Sequence, residues 1–402
     1  MTSTIHPTTP HITEIDVRRA RSETPGCEKV AHFNNAGAAL MPRPVLDAVL
    51  EHLQLEALSG GYEAAELQAG RIEAVYDSIA RLLNCRRDEA AVVENATRAW
   101  DMAFYAIPFQ PGDRILTSVA EYASNYIAFL QVARRTGAVV EVIPNDEHGQ
   151  LSLRALEALL ERPAKLVAIT HVPTNGGLVN PAAAVGRLAR QAGALYLLDA
   201  CQSIGQMPLD VAQTGCDMLS ATGRKFLRGP RGTGFLYVRR ELLEQLEPPF
   251  LDLHAARWVG RDAYQVRPDA RRFENWETYY AGKIGLGAAV DYALGWGLEA
   301  IEARITRLAG ELRRELAALP GVRVHDLGEH PCGIVTFTAA GAAPQAVQAA
   351  LRAQGINVSV TSRASTRLDM EQRGLDELVR ASVHYYNTGE EIERLCAAVA
   401  GL

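Results

Sequence analysis

Between Ala91 and Val238 short apolar runs alternate with amphipathic stretches, and that alternation restricts the folds open to this chain more than any other feature. Residues 91–93, 114–118, 138–143, 166–170, 194–198 and 217–219 read as strands. Between them, 100–107, 126–135, 153–160 and 181–191 carry apolar residues at helical spacing, and Pro181 suits a first helical turn. A buried strand followed by a covering helix, repeated, gives a mostly parallel sheet with helices on both faces. Helical spacing also marks 45–53 and 72–83 upstream. The alternation stops near Val238. Residues 248–280 are irregular, aromatic and rich in arginine; a long helical stretch over 284–318 then leads into a strand and helix pattern over 322–402. The expected organisation is an arm over 1–30, which lacks apolar periodicity, a large domain over 31–283 and a smaller C-terminal domain over 284–402.

The chain's formal charge of −6 gives no general attraction to nucleic acid or anionic membrane. No apolar run reaches the roughly 18 residues of a membrane span. The best candidate, 284–298, is broken by Asp291, and residues 1–24 lack the apolar core of a secretory signal. A soluble, cytoplasmic protein is expected. The six cysteines lie far apart with no C-x-x-C pair, so zinc ribbon, redox dithiol and disulfide framework are poor readings. Each reads as a small buried hydrophobe in a reducing compartment. The ten histidines include no H-x-x-x-H or H-E-x-x-H, and no metal is expected.

In an open α/β sheet, ligands bind at the carboxyl ends of the strands. After Val93 comes Glu94-Asn95-Ala96-Thr97-Arg98, whose free N–H groups and Thr97 hydroxyl could hold a phosphate, although a plain helix cap is simpler. After Thr170 comes His171-Val172-Pro173-Thr174-Asn175-Gly176-Gly177, and after Leu198 comes Asp199-Ala200-Cys201-Gln202. An acid ending a buried strand needs a cation or a strong donor; a protonated heterocyclic nitrogen would serve, and so would a helix N-terminus. The decisive segment runs from Ser220 to Val238. It sets Lys225 among small residues beside Arg224, which favours a reactive neutral amine, and continues as Gly229-Pro230-Arg231-Gly232-Thr233-Gly234. A surface lysine in a basic loop leaves that glycine run unexplained. Glycines there suggest close backbone approach to a ligand.

The order Asp199-x-x-Gln202, then Thr222, Arg224 and Lys225, then Gly229-Pro230-x-Gly232-x-Gly234, resembles the class V aminotransferase family, fold-type I pyridoxal-phosphate (PLP) enzymes that include the cysteine desulfurases. The resemblance runs from His32-Phe33-Asn34-Asn35-Ala36-Gly37 to the stretch from Arg380 to Thr388. It implies an α/β fold with a mostly parallel seven-stranded sheet in the large domain and a smaller C-terminal α/β domain. Lys225 would form the internal Schiff base and shuttle the Cα proton. Asp199 would pair with the pyridinium nitrogen, and Gln202 would touch the ring's phenolic oxygen. Thr97 with main-chain groups of Ala96 and Arg98, together with Thr222 and Arg224, would hold the phosphate. Thr278 resembles a phosphate contact donated by the neighbouring subunit, which implies a homodimer with shared sites. Arg380 would clamp the substrate carboxylate. Asn175 lies where the family has an asparagine near the cofactor and that carboxylate, and Asn35 and Ala36 fall in the substrate-facing N-terminal motif.

Two departures shape the expected reaction. In Glu121-Tyr122-Ala123-Ser124-Asn125, desulfurases have a histidine stacked on the ring; here Tyr122 is expected to pack on PLP or act as an acid, unless it is a buried strand-end tyrosine. The loop that would carry the desulfurase nucleophile, residues 359–367, has no cysteine. The stretch from Gly60 to Glu66 resembles the isopenicillin epimerase-like and ergothioneine C–S lyase-like branch, with Tyr62 in reach of the substrate, although a helix start explains it more economically. The segment from Leu253 to Trp258 could admit a large polar substrate or bind the other subunit. From these, the expectation is a C–S β-lyase on a cysteine-derived amino acid, with transamination, then epimerisation, then non-catalytic PLP binding behind it, and not a cysteine desulfurase.

Overall fold

The computed structural model describes residues 14–402; residues 1–13 of the expected arm over 1–30 lie outside the described residues. Helix α1 (Val17–Ser22) is capped by Asp16 and docks on the C-terminal half through Arg21, which reaches Glu391 at 2.8 Å. Strand β1 (Ala31–His32) and helices α2 (Arg43–Ser59), α3 (Gly61–Leu67) and α4 (Ala69–Leu83) follow. The alternating region then forms β2 (Ala90–Val93), α5 (Ala96–Phe104), β3 (Arg114–Ser118), α6 (Ala123–Thr136), β4 (Val139–Ile143), α7 (Leu153–Leu160), β5 (Leu166–Thr170), α8 (Ala182–Gln191), β6 (Leu195–Asp199), α9 (Val211–Thr214), β7 (Met218–Thr222) and β8 (Gly234–Val238).

These strands make a seven-stranded sheet in the order β2-β8-β7-β6-β5-β3-β4, parallel except for β8, which runs antiparallel to both neighbours. Successive side chains serve opposite faces: Val167 and Ile169 enter one core, Leu166 and Ala168 the other. Both faces being covered, β5 is buried at every residue, which is why it reads as a continuous apolar run. The α/β class and the seven-stranded sheet agree with the sequence.

Beyond Val238 the structure departs from expectation twice. The irregular region contains an antiparallel hairpin, β9 (Ala256–Gly260) and β10 (Ala263–Val266). Its residues are mostly exposed, so no apolar alternation announces it. The single helix expected over 284–318 is two, α10 (Tyr280–Trp296) and α11 (Leu298–Ala318), parted by Gly297 at φ 79°. That left-handed residue ends α10, while apolar residues continue across it and hide the break. The chain closes with β11 (Val322–Val324), β12 (Ile334–Ala339), α12 (Pro344–Ala353), β13 (Ile356–Asn357), β14 (Ser359–Ser362), α13 (Arg367–Gln372), β15 (Glu377–Ser382) and α14 (Gly389–Ala400). Strands β11, β12, β15 and β14 form an antiparallel sheet, and β13 pairs in parallel with β1.

Arg228, in the β7–β8 connection, ties these parts together. It is fully buried, adopts φ 63°, donates to Leu40 O, Tyr385 Oη and Thr24 Oγ1, and lies 4.6 Å from the centre of the Tyr386 ring. The loop that carries Lys225 is therefore anchored at its far side. No helix among the described residues is long and apolar enough to cross a membrane.

Candidate active site

The ends of β2, β5, β6 and β7 open on a cavity of about 480 Å³ whose wall includes Tyr122, Thr174, Asp199, Gln202, Thr222 and Lys225. Asp199 ends β6 and is 5% exposed. Its Oδ1 accepts from Cys201 N at 2.8 Å and its Oδ2 from Asn125 Nδ2 at 2.9 Å, while no cation lies within ion-pair distance among the described residues. Residues 201–203 form a turn and no helix starts there, so Asp199 is not a helix cap. Burial pushes its carboxyl up; the Asn125 and Cys201 hydrogen bonds and the Lys225 charge oppose this.

Lys225 Nζ lies 3.2 Å from Cys201 Sγ. Gln202 gives its amide hydrogens to Ala36 O at 3.1 Å and Thr174 Oγ1 at 3.4 Å, and its buried Oε1 has no hydrogen-bond partner. At the other end, the Asn95 side chain accepts from Arg98 N at 2.9 Å. Ala96 and Thr97 remain, with first-turn N–H groups that have no intrahelical partner. The Arg98 amide is thus committed to the cap, and its guanidinium lies 4.8 Å from the centre of the Phe250 ring, so the expected Arg98 phosphate contact is taken up elsewhere. Arg224 Nη1 donates to Thr222 Oγ1 at 3.3 Å beside the same wall.

The donor set fits PLP: a buried carboxylate without a cation, a lysine amine, an unsatisfied amide oxygen, and an anion-binding helix start with two threonine hydroxyls and an arginine. The glycine run acts differently from expectation. A Cβ on Gly234 would meet Asn95 C at 2.7 Å and Ala221 O at 2.6 Å, so this glycine admits neighbouring backbone rather than a ligand. Gly232, at φ 74°, does line the cavity.

Arg380, on β15, is buried beside this wall. It donates to Thr174 Oγ1 at 2.6 Å, to Thr174 O at 3.2 Å and to Ser359 Oγ at 3.2 Å. Burial pushes its guanidinium down to about 10. Thr174 therefore joins Gln202 to Arg380, a link the sequence hides because Thr174 and Asn175 are equally polar neighbours. Asn175 instead donates to Thr366 Oγ1 at 2.8 Å and accepts from Thr361 Oγ1, holding the 361–366 segment. Asn35 is fully buried, its amide N–H donating to Ser382 O at 2.7 Å and its oxygen accepting from Tyr386 Oη, so its side chain is spent inside the protein. Ala36 contributes its carbonyl to Gln202 and takes Ser382 Oγ on its N–H.

Tyr122 stands at the start of α6 and is 36% exposed on the cavity wall, not a buried strand-end tyrosine. Tyr62 and Thr278 are not brought to this cavity within one chain. They line a second one, of about 620 Å³, with Gly61, Trp276 and Tyr279; Glu94 lines both. His254 lies 3.2 Å from the buried Glu274 carboxylate, and Trp258 is exposed on the hairpin. Cys201, Asn125 and Thr174 are among the cavity residues that sequence reasoning left without a site role; none carries a spacing pattern that would mark it.

Comparison with known proteins places this architecture. Residues 31–395 match the family described as Aminotransferase class-V. A probable cysteine desulfurase of Methanothermobacter thermautotrophicus is 30% identical over 94% of this chain and 96% of its own. One of Xylella fastidiosa is 33% identical over 99% and 97%. The apo structure of the cysteine desulfurase from Thermococcus onnurineus NA1 superposes with a TM-score of 0.89 at 27% identity, covering 100% of this chain and 99% of that one. These findings overturn the expectation that the chain is not a cysteine desulfurase. They also withdraw the support for a separate β-lyase or aminotransferase assignment: a missing cysteine in one loop does not outweigh relatives of that name along nearly the whole length. With this fold, this cavity and these relatives, the chain belongs to the class V aminotransferase family, whose cofactor is PLP.

Proposed function

We propose that the protein is a cysteine desulfurase, a PLP-dependent C–S lyase that takes sulfur from L-cysteine. The observation that carries this reading is the placing of Lys225, Asp199 and Gln202 on one cavity wall, with the Arg380 guanidinium joined to it through Thr174 and without a carboxylate partner among the described residues. The relatives' name supports the choice of substrate. Bound PLP supplies an electron sink for the charge left at the substrate Cα.

The chain's own groups do the rest. Lys225 Nζ holds the cofactor covalently and carries the Cα proton. Asp199 keeps the pyridine nitrogen protonated, and Gln202 meets the phenolic oxygen. Thr97, Thr222, Arg224 and the Ala96 and Thr97 amides hold the phosphate. Arg380 takes the substrate carboxylate in a charge-assisted pair that replaces part of its lost hydration. Tyr122 lines the same cavity as Lys225 and is a candidate to protonate the substrate Cβ as the C–S bond breaks and the sulfur passes to a thiol. The 359–367 segment offers hydroxyls rather than a thiol, so sulfur is handed to an external thiol.

The same reading makes the enzyme a cytoplasmic homodimer, with Thr278 and Tyr62 completing the partner's site. Exposed Tyr62, Trp276 and Tyr279 around the second cavity support this. It retains an arm over 1–30, a large domain over 31–283 and a small domain over 284–402.

The test is product analysis with L-cysteine and dithiothreitol. Alanine and sulfide in equal amounts are expected; pyruvate and ammonia without alanine would refute the reading. Lys225→Ala should lose the visible absorbance of lysine-linked cofactor, and a retained band would remove Lys225 from its role.

A further inference from the structure

Glu121 is a fully buried carboxylate at the β3–α6 turn to which the reaction above gives no task. Five donors converge on it. Its Oε1 accepts from Tyr122 N and Asn125 Nδ2, both at 2.9 Å, and from Thr170 Oγ1; its Oε2 accepts from Thr117 Oγ1 and Thr170 N, both at 3.0 Å. The Asn125 amide gives its other hydrogen to Asp199 Oδ2, again at 2.9 Å. One side-chain amide thus bridges two buried carboxylates.

We propose that Glu121 is a positioning residue for the cofactor: through the Asn125 amide it fixes the Asp199 carboxylate for the pyridine nitrogen of PLP. This rests on the reading that Asp199 meets that nitrogen. Of the two anchors on Asp199, the Cys201 N–H is main chain and already held by the fold, whereas Asn125 is a side chain that needs an anchor of its own. Glu121 supplies it, and rotating the amide would break two hydrogen bonds to acid groups at once.

The second consequence is electrostatic. Asp199, on β6, is the charged group acting on Glu121; β3 and β5 present the uncharged Thr117 and Thr170, and α6 presents Asn125. Negative charge behind Asp199 makes its carboxylate more basic, and a more basic partner holds the proton on the pyridine nitrogen more firmly. Burial pushes the Glu121 carboxyl up to about 7, with Asp199 adding to the rise and the Thr170 and Asn125 bonds opposing it. Glu121 therefore retains ionised character at neutral pH.

The experiment reconstitutes the enzyme with ¹⁵N-labelled PLP. It reads the pyridine nitrogen resonance and the PLP dissociation constant in Asp199→Asn, Glu121→Gln, Asn125→Ala and the Glu121→Gln/Asn125→Ala double variant. Glu121→Gln and Asn125→Ala should each move the resonance toward the unprotonated value and raise the dissociation constant about fivefold to tenfold. Relative to Asn125→Ala alone, the double variant should move the resonance further only by the lost Glu121 charge, because the positioning itself runs along one path. If Glu121→Gln does not fold, Asn125→Ala alone decides the question, since it cuts the bridge and leaves the other four donors on Glu121. An unmoved resonance in Asp199→Asn would overturn the underlying cofactor reading. A shifted resonance there, with Glu121→Gln and Asn125→Ala losing only thermal stability, would overturn the positioning role and leave the cofactor reading standing.

Discussion

Gly234→Ala should damage both stability and cofactor binding through one displaced backbone junction. Gly234 opens β8, where it pairs with Val93 of β2 on one side and Thr222 of β7 on the other. An added Cβ would lie 2.6 Å from Ala221 O, 2.7 Å from Asn95 C and 2.9 Å from Asn95 Cα, against ordinary contacts of 3.4–4 Å. All three atoms are backbone, so no side-chain rotation relieves the clash. The strands must part by about 0.5–1 Å, an overpacking cost of about 1–3 kcal/mol. Asn95 caps α5 and precedes the Ala96 and Thr97 amides, so the displacement carries the phosphate donors with it. Losing one hydrogen bond to a charged group costs about 1.5–3 kcal/mol, which at about 1.4 kcal/mol per decade raises the PLP dissociation constant roughly tenfold to hundredfold. Urea unfolding of apo-protein and absorbance titration with PLP read the two effects. Gly193→Ala is the control: its Cβ would meet nothing within 4 Å and it lies outside the cavity wall, so it carries only the strain of φ 69° and should bind PLP more tightly than Gly234→Ala. An unchanged unfolding midpoint with an unchanged dissociation constant in Gly234→Ala would refute the reasoning.

Arg380→Ala should raise KM for the amino acid by a factor equivalent to about 2–5 kcal/mol while leaving apo-protein stability unchanged or higher, because the buried guanidinium has no carboxylate to compensate its lost hydration. Unchanged KM would place the substrate carboxylate elsewhere. Glu121 makes stability depend on pH in a stated direction. Its carboxyl is raised from 4.5 to about 7, so between these values the folded state binds more protons than the unfolded one, and stability falls as pH rises. At about 1.36 kcal/mol per pH unit the wild type loses about 3 kcal/mol relative to Glu121→Gln across that window. Parallel unfolding curves for the two apo-proteins across it would contradict the raised carboxyl.

The elements that the sequence makes plain are those whose apolar runs are bounded by turn residues. The segments 114–118, 153–160 and 166–170 are strand, helix and strand to the residue, since two-sided burial keeps 166–169 continuously apolar and leaves the polar residues of 114–118 toward its two ends. The order of motifs around Asp199, Gln202 and Lys225 was likewise readable, because chemistry fixes residue type there. What was not readable depends on backbone direction. Whether Thr174 or Asn175 faces Arg380 is decided in a loop that passes through left-handed Gly176 and Gly177, at φ 77° and 64°. The break at Gly297 is masked by apolar residues on both sides. The argument from the cysteine-free 359–367 segment failed for another reason: one missing side chain limits where sulfur goes, not which bond is cleaved.

The pairing of β1 with β13 has a consequence for the order in which the molecule takes shape. His32 and Asn357 touch across 325 residues of chain. On a ribosome, the central sheet, complete by Val238, has emerged long before β13 exists to receive β1. Loop-closure entropy places such distant pairings late in folding as well. Arg380 reaches Thr174 across 206 residues, and Asn35 reaches Ser382 across 347. The nascent protein thus passes through a stage with the cofactor wall built and the substrate wall still missing, and the step that shuts the cavity is also the one that joins the two ends of the polypeptide.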